Sequence, residues 1–164
     1  KGSLDYLETM SACRLPLLRK DFLLHPLQVV QTAATKASAL LLIVRMLTDV
    51  ELGEMLRLTY DAGLEAVVEV FDARDLERAE AAGAHIIQVN NRDLDTLKTD
   101  FAVAARLAPY KRPGRLWIAA SGIKTRADVE AMQSLGFDAV LVGTSIMAEA
   151  DPGAALARLA GSAA

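Results

Sequence analysis

The chain has 164 residues, of which 52% are apolar, and a formal net charge of −3 with both signs interspersed. This length allows one domain with a substantial core, and the apolar content argues against intrinsic disorder. The mixed, mildly acidic charge argues against nucleic acid as the main partner. No segment reaches the roughly 18–20 apolar residues that a membrane span requires. The single cysteine, Cys13, excludes an internal disulfide and a multi-cysteine metal site, and this favours a cytoplasmic location.

Short apolar runs alternate with stretches of helical period along the whole chain. Most runs are nearly continuous, which is typical of parallel strands covered on both faces. Helices are predicted over 48–62, 72–82 and 125–135, with Thr48, Asp72 and Thr125 as N-caps. This order predicts an α/β fold, either a (β/α)₈ barrel or an open doubly wound sheet. The apolar runs are 15–18, 39–44, 66–70, 85–89, 116–119 and 139–142, and glycines at the helix ends are Gly63, Gly83 and Gly136.

Charged residues follow the first run in the order Arg19-Lys20-Asp21-Phe22. A period of two puts Leu18, Lys20 and Phe22 on one face and Arg19 and Asp21 on the other. A lysine facing the interior would be desolvated and suited to acid–base chemistry. The alternative is a strand end whose charged groups extend into water.

Glu69 interrupts the apolar run 66–70. A carboxylate inside a buried strand is costly unless it is paired or shares a proton. Glu69 and Lys20 would form a natural acid–base pair at neighbouring strand ends. An arginine-paired structural carboxylate is the alternative.

The run 85–89 leads into Asn90-Asn91-Arg92, where polar groups again follow a strand. Asn90 offers a hydrogen-bond donor and an acceptor, and Arg92 could hold a carboxylate through two hydrogen bonds. Asn-Asn is also ordinary turn chemistry. His85 begins its strand and is interpreted as structural, whereas His25, beside Pro26, is interpreted as a loop or helix-cap residue.

The last two runs end in small residues, Ser121-Gly122-Ile123 and Gly143-Thr144-Ser145. Small residues let backbone amides approach a phosphate, and a short helix predicted over 144–148 would favour an anion at its start. Two such loops on the final strands match the phosphate site common in (β/α)₈ barrels, which favours the barrel over the open sheet. No nucleotide-binding glycine motif is present.

Together these motifs resemble the indole-3-glycerol-phosphate synthase family, over nearly the whole chain and in order. The specific carriers are Arg-Lys-Asp-Phe at 19–22 and Asn-Asn-Arg-Asp-Leu at 90–94, with Val68-Glu69-Val70, Ser121-Gly122-Ile123 and Val142-Gly143-Thr144-Ser145 in support. The resemblance implies a TIM (β/α)₈ barrel, here an incomplete one. We expect a single partial domain over residues 1–164 with about six βα units, corresponding to strands 3–8 of the family.

The resemblance also implies a carboxy-lyase of tryptophan biosynthesis. The family closes the indole ring of 1-(2-carboxyphenylamino)-1-deoxyribulose 5-phosphate with loss of carbon dioxide and water. No metal or organic cofactor is implied, and the expected partner is this phosphorylated small molecule rather than nucleic acid or a membrane. The implied catalytic residues are Lys20 as general acid, Glu69 as acid/base and Asn90 as a polar contact, and the implied substrate-binding residues are Phe22 and Leu41 at the aromatic ring, Arg92 as a support, and Ser121, Gly122, Gly143 and Thr144 at the phosphate.

Three departures from the family pattern bear on these expectations. The family's first two strands, its extra N-terminal helix and a Glu-x-Lys-x-x-Ser-Pro-Ser motif, which supplies a second catalytic lysine, have no counterpart here. Ala120 stands where the family has a substrate-contacting glutamate. His25 and Lys36 replace the usual aspartate and glycine, with local structural consequences.

We therefore expect the chain alone to be inactive or impaired. We also expect self-association through open barrel edges, or pairing with the missing N-terminal segment. Two alternative functions stay open. One is a non-catalytic phosphate-binding paralogue, which Ala120 supports. The other is a different phosphate-binding barrel such as phosphoribosylanthranilate isomerase, against which the 19–22 and 90–92 motifs argue.

Overall fold

The computed structural model describes residues 2–94 and 96–161, in which strands and helices alternate. The strands are β1 (Leu18–Arg19), β2 (Ala39–Ile43), β3 (Glu65–Val70), β4 (Ile86–Asn90), β5 (Leu116–Ala120) and β6 (Ala139–Leu141). The helices are α1 (Asp5–Met10), α2 (Pro26–Ala33), α3 (Asp49–Asp61), α4 (Ala73–Ala81), α5 (Ala102–Leu107), α6 (Arg126–Ser134), α7 (Thr144–Met147) and α8 (Pro152–Ala160). Short 3₁₀ turns occupy Ser11–Cys13, Val44–Met46 and Ala108–Tyr110.

The sheet follows the chain: its strands are ordered as in the sequence. The pairs β1–β2, β2–β3 and β5–β6 are parallel. This confirms the predicted α/β alternation. The chain divides into two compact units, Lys1–Ile87 and Gln88–Ala164, which are described separately below and are called the first and the second unit. The expectation of a single domain stays a prediction.

Side-chain caps fix the first turns of several helices, and the sequence predicts most of these caps. The Thr48 hydroxyl accepts the N–H of Glu51, whose carboxylate in turn accepts the N–H of Thr48 at 2.8 Å. Asp72 and Thr125 cap α4 and α6 as predicted. His25 caps α2 through Nδ1, which accepts the N–H of Leu27 at 3.1 Å. Glycines with positive φ follow the helices as expected: Gly63, Gly83 and Gly136.

The register of the first unit divides its strands into two faces. Arg19 pairs with Leu40, and Leu42 with Val68, so these residues lie on one face. That face packs against helices, since the Arg19 guanidinium donates to Gln28 O and to Thr32 Oγ1, both in α2. Leu40, Leu42 and Val68 are fully buried, as expected of strands covered on both sides.

The two outermost strands differ from the prediction. The run 15–18 was predicted to be a covered strand, but β1 begins only at Leu18 and Leu15 is 68% exposed. β6 likewise has an exposed Ala139 and two half-buried residues. The reason is their place at the ends of the strand order, where a strand has a neighbour on one side only. A continuous apolar run therefore does not establish that a strand is covered.

The second unit is built around Trp117, which is fully buried and packs on Phe137 with ring centroids 5.6 Å apart. Asp138 fixes the start of β5, because its Oδ2 accepts the N–H of Trp117 at 2.6 Å and the Lys111 ammonium at 2.7 Å. Lys111 and the Trp117 amide lower the pKa of Asp138. Across residues 2–94 and 96–161, no helix is both long and apolar enough to cross a membrane.

Candidate active site

The first unit places Leu41 and Glu69 on one strand face, opposite to that of Arg19. Glu69 pairs in register with Ile43, and Leu41 pairs with Val67, two residues earlier on each strand. Residues two apart share a face, so Leu41, Ile43, Val67 and Glu69 line the same side of β2 and β3. Leu41 is 1% exposed and Glu69 is 4% exposed. A carboxylate is thus held in a largely buried place on a strand face that it shares with aliphatic side chains.

Lys20 and Phe22 follow β1 directly and are both exposed, Phe22 at 58%. The expectation that Lys20 is desolvated is therefore not met in this structure. Its physical reason is that β1 ends at Arg19, so no strand pairing continues to bury the next side chain. Continuing the alternation of β1 by one residue puts Lys20 on the face of Leu18, which shares its side with Leu41. The backbone beyond is anchored by Gln28, whose Nε2 donates to Phe22 O at 3.3 Å.

Arg19 is a structural residue and not a substrate ligand. Its side chain is 6% exposed and donates to Thr32 Oγ1 at 2.8 Å and to Gln28 O at 3.1 Å. A further ion pair reaches Asp21 at 3.4 Å. Arg19 therefore ties β1 to α2 and fixes the start of the segment that carries Lys20.

A network that the sequence analysis missed holds the end of β3. Asp75, buried in the first turn of α4, accepts the N–H of Phe71 and the Nε–H of Arg45, both at 3.1 Å. The Arg45 guanidinium also pairs with Asp72 at 3.0 Å and lies 4.3 Å from the centre of the Phe71 ring. Burial opposes ionisation of Asp72, but the Asp75 amide and Arg45 outweigh it and lower the pKa of Asp72. The network fixes the loop that begins two residues after Glu69.

In the second unit, Asn90 and Asn91 make different hydrogen bonds. Asn90, 7% exposed at the end of β4, accepts the N–H of Arg92 on Oδ1 at 3.0 Å. Asn91 is fully buried and structural. Its backbone N–H donates to Ala120 O at 2.9 Å and its Nδ2 donates to Ser121 O at 3.2 Å, while its Oδ1 accepts the N–H of Ala104. The sequence analysis identified the Asn90-Asn91-Arg92 motif, but it did not predict the hydrogen bonds by which Asn91 joins these segments.

The Arg92 side chain is exposed, and its backbone bridges to Thr99 in antiparallel fashion. That bridge closes the loop after β4 and brings Thr99 against the turn that follows β5. A Cβ at Gly122 would lie 2.6 Å from the Thr99 methyl carbon. Arg92 thus supports the strand end through its backbone, whereas a bond from its guanidinium to a carboxylate stays a prediction.

The turn after β5 has an unusual backbone. Ser121 has φ +68° and Gly122 has φ +84°, so two consecutive residues occupy the left-handed region. Glycine adopts this conformation freely, but serine does so at a cost, and such outliers gather at ligand sites. Both residues are half-buried. The turn is held rigidly because Asn91 donates to Ser121 O.

The loop after β6 meets the loop after β5 through one side chain. Ser145 Oγ donates to Ile123 O at 2.8 Å. Gly143 and Thr144 precede it, and a Cβ built on Gly143 would meet no described residue within 4 Å apart from its neighbours in the chain. The helix predicted over 144–148 is present as the single turn α7. Within this unit the structure thus brings the two predicted phosphate loops together, and the role of Ser145 in joining them was not foreseen.

No three histidine, cysteine, aspartate or glutamate side chains are grouped so that they could hold a metal ion, as far as the described residues extend. The polar groups around the predicted site are instead single carboxylates, amides and backbone groups. Such a donor set suits proton transfer and anion binding.

Comparison with known proteins assigns the family. The family model described as indole-3-glycerol phosphate synthase matches residues 1–159. The indole-3-glycerol phosphate synthase of Desulfosudis oleivorans is 46% identical over 152 residues, which are 92% of this chain and 58% of that protein. Indole-3-glycerol phosphate synthase 2 of Streptomyces coelicolor is 42% identical over 161 residues, which are 98% of this chain and 62% of that protein. The chain thus spans about three-fifths of the length of these curated relatives.

Solved structures of lower identity support the fold alone. The 3-hexulose-6-phosphate synthase of Salmonella typhimurium superposes with a TM-score of 0.83 at 16% identity, covering 96% of this chain and 78% of that chain. A point variant of mandelate oxidase gives a TM-score of 0.75 at 22% identity, covering 94% and 60%. These likenesses confirm the predicted fold class, a (β/α)₈ barrel of which the described residues provide six strands. The family model and the curated relatives establish that the chain belongs to the indole-3-glycerol phosphate synthase family.

Proposed function

We propose that this chain takes part in indole-3-glycerol phosphate synthesis, the ring closure of 1-(2-carboxyphenylamino)-1-deoxyribulose 5-phosphate with loss of carbon dioxide and water. The observation that carries the proposal is the pair of small-residue loops that Ser145 joins in the second unit. Together with family membership, this pair supports a phosphorylated substrate. The relatives favour this reaction over that of the isomerase, since they bear the synthase name.

The acid–base chemistry falls to the first unit. Ring closure adds the aromatic carbon to the ketone, whose oxygen takes up a proton, and that oxygen later leaves as water. We assign Lys20 as the general acid for this oxygen, because an ammonium is a charged donor that can protonate a leaving oxygen close to it. Glu69 acts as the acid/base partner from its buried position, and Leu41 and Phe22 contact the aromatic ring.

The second unit binds and orients the substrate. The amides of Gly122, Gly143 and Thr144 and the Ser121 hydroxyl contact the phosphate, where fixed N–H dipoles stabilise an anion without reorganisation. Asn90 contacts the reacting part of the substrate, and Arg92 supports the end of β4. No metal or organic cofactor enters this scheme.

The direct test is indole formation from the carboxyphenylamino substrate, followed by fluorescence. The purified chain is assayed alone and with an added N-terminal segment from a full-length relative. Product that depends on Lys20 and Glu69 in either assay supports the proposal. Absence of product in both assays, even with Ala120→Glu, would overturn it.

A non-catalytic phosphate-binding role is the second candidate, and Ala120 favours it. Ala120 is 3% exposed at the end of β5, where the resemblance implies a substrate-contacting carboxylate. In this case substrate at 100 times its dissociation constant should raise the free energy of unfolding by about 2.7 kcal/mol without product. Stabilisation without turnover would therefore distinguish this role from the first.

We also propose that the chain self-associates through its open barrel edges, or pairs there with an N-terminal segment of the family. One such edge is β1, which ends the strand order and lies within the first thirty residues, where large apolar side chains are exposed. Sedimentation velocity at increasing concentration should show an oligomer that Leu27→Glu disperses, because Leu27 is 69% exposed. A monomer at all concentrations with a cooperative melt would contradict this. The exposed side chains include Tyr6, Met10, Leu15, Phe22, Leu24, Leu27 and Val30.

We place this activity in the cytoplasm. The support is chemical: one cysteine, Cys13, is present, and it is exposed and unbridged. Fractionation of cells that express the chain from its own gene tests this, and recovery outside the cytoplasm would refute it.

A further inference from the structure

A cavity with a basic lining lies in the second unit, beside the loops that follow β5 and β6. The cavity has a volume of about 330 Å³ and opens between the start of α6, the residues after α7 and the end of α8. This volume is in the range of small-molecule sites. Its ionisable lining consists of Lys124, Arg126, Arg158 and Glu149, three cations against one carboxylate. The lining therefore favours an anion.

The three cations are not equally available. Arg126 is engaged in the fold: its Nε pairs with Glu130 at 2.9 Å, and its NH1 donates to Leu159 O and Ala160 O at the end of α8. Arg158, by contrast, meets Glu149 only at 3.4 Å, with both side chains more than half exposed. Exposed pairs of this kind contribute little, so Arg158 can turn to a ligand at small cost.

Lys124 is an exposed residue of the cavity lining, directly after the Ser121-Gly122-Ile123 turn. Its backbone N–H donates to Asp128 Oδ2 at 2.9 Å, which fixes the position of the backbone from which the side chain extends. The floor is apolar and closed, since Ala155 and Leu159 are 5% and 8% exposed. The cavity thus offers two solvent-exposed cations over a small apolar surface.

We propose that this cavity binds a small phosphate monoester, held by Arg158 and Lys124, as a site separate from the phosphate loops. The planar fork of arginine matches two phosphate oxygens, and the lysine ammonium supplies the second positive charge that a dianion requires. Glu149 opposes binding and sets its strength. The small floor limits the organic part of the ligand to a few carbon atoms.

The two sites have one residue in common and can be distinguished by substitution of residues that belong to only one of them. Ser145 lines the cavity and donates to Ile123 O, so it belongs to both. Gly143 belongs only to the loops. Gly143→Ala therefore perturbs the substrate site, whereas Arg158→Ala perturbs the cavity.

The experiment is a titration of the ¹⁵N-labelled chain with inorganic phosphate and with glycerol 3-phosphate, followed by amide chemical shifts. Shifts at Lys124 and Arg158 should saturate with their own dissociation constant. Arg158→Ala should weaken this constant by about tenfold, the usual effect of one charge-assisted contact. Glu149→Gln should strengthen it about threefold by removing a like charge. The probe that binds more tightly identifies the source of the phosphate group.

The matched control is Arg106→Ala. Arg106 is also an exposed arginine of the second unit in one long ion pair, 3.5 Å from Asp100, but it lies outside the cavity lining. Equal weakening by Arg106→Ala, or no shifts at Lys124 and Arg158, overturns the inference. Shifts confined to Gly122, Gly143 and Thr144 overturn the second site and leave the proposed function standing. Shifts confined to the cavity residues overturn the proposed phosphate binding by the loops and leave the second site standing.

Discussion

The two compact units differ in the kind of group that we propose for their chemistry. In the first unit the proposed groups are side chains: Glu69 is buried on a strand face, and Lys20 stands one residue after a strand. In the second unit they are mainly backbone groups, at the turn Ser121-Gly122 and the loop Gly143-Thr144. The difference predicts how each responds to substitution. A catalytic side chain can be replaced with little change in the stability of the fold. A substitution that alters the backbone of a strained turn is expected to change both ligand binding and stability.

The largest effect is expected at the adjacent pair Arg19 and Lys20. Lys20→Met should lower turnover on the order of 10²- to 10⁴-fold, as loss of a general acid does. It should change the free energy of unfolding by less than about 0.5 kcal/mol, because Lys20 is exposed. Turnover is measured by indole fluorescence and stability by urea denaturation.

Arg19→Met is the matched control for that variant. It removes the hydrogen bonds to Gln28 O and Thr32 Oγ1, and we expect a loss of about 2–4 kcal/mol in the free energy of unfolding. If both variants lose similar stability, the separation of chemistry from structure in the first unit is wrong.

Next in size is the contrast between the two loop glycines. Gly122→Ala should cost about 1–3 kcal/mol, since its Cβ would lie 2.6 Å from the Thr99 methyl carbon and φ is +84°. Gly143→Ala meets open space, but the backbone there (φ −128°, ψ −72°) lies outside the regions that alanine favours, so this variant should lose about 0.5–1 kcal/mol. Urea denaturation measures both variants. A Gly143→Ala variant that loses as much stability as Gly122→Ala would show that this loop, too, is set by packing.

Ala120→Glu would give the second unit a carboxylate of its own. Ala120 is 3% exposed, so the added charge should cost about 1–3 kcal/mol in the absence of ligand. Substrate should recover part of this stability if the carboxylate contacts it, and turnover should rise. Ala120→Gln is the control of equal size. A glutamine variant with the same activity would remove the charge from the explanation.

The smallest effect concerns pH and the salt bridge at the start of β5. Lys111 and the Trp117 amide lower the pKa of Asp138, so its contribution is complete above the unfolded pKa of roughly 3.9 and is lost as the pH falls through the folded value. Asp138→Asn should therefore flatten the acid limb of stability below about pH 4. Lys111→Met should move that limb to higher pH. An unchanged limb in both variants would contradict the assignment.

Sequence patterns predicted the features that depend on local chemistry. The caps at Thr48, Asp72 and Thr125 follow from side chains that reach backbone groups three residues away. The strands β2 and β3 follow from apolar runs covered on both faces. Glu69 was found because a carboxylate in such a run is an anomaly, and its burial agrees with that expectation.

The expectations that were wrong, and the contacts that were missed, depend on tertiary neighbours that a local sequence pattern does not reveal. The run 15–18 has the composition of a covered strand, but a place at the end of the strand order leaves Leu15 exposed. Lys20 is exposed because β1 ends at Arg19, a boundary that the sequence pattern does not mark. The network of Arg45 and Asp75 joins residues thirty positions apart, and no local pattern predicts it. Asn91 was visible in its motif, but its partners Ala104, Ala120 and Ser121 lie on segments that only folding brings near.

The left-handed backbone conformation of Ser121 bears on why this position of the turn carries serine. Glycine at that position would relieve a backbone cost of about 1 kcal/mol or more, and the next residue already shows that the turn accepts glycine. Serine differs from glycine here by its hydroxymethyl group, whose hydroxyl we propose as a phosphate contact. Stability of this kind is surrendered most readily where function gains from it. A screen for thermostable variants should therefore return Ser121→Gly early, and such a variant should bind phosphate less well than its parent.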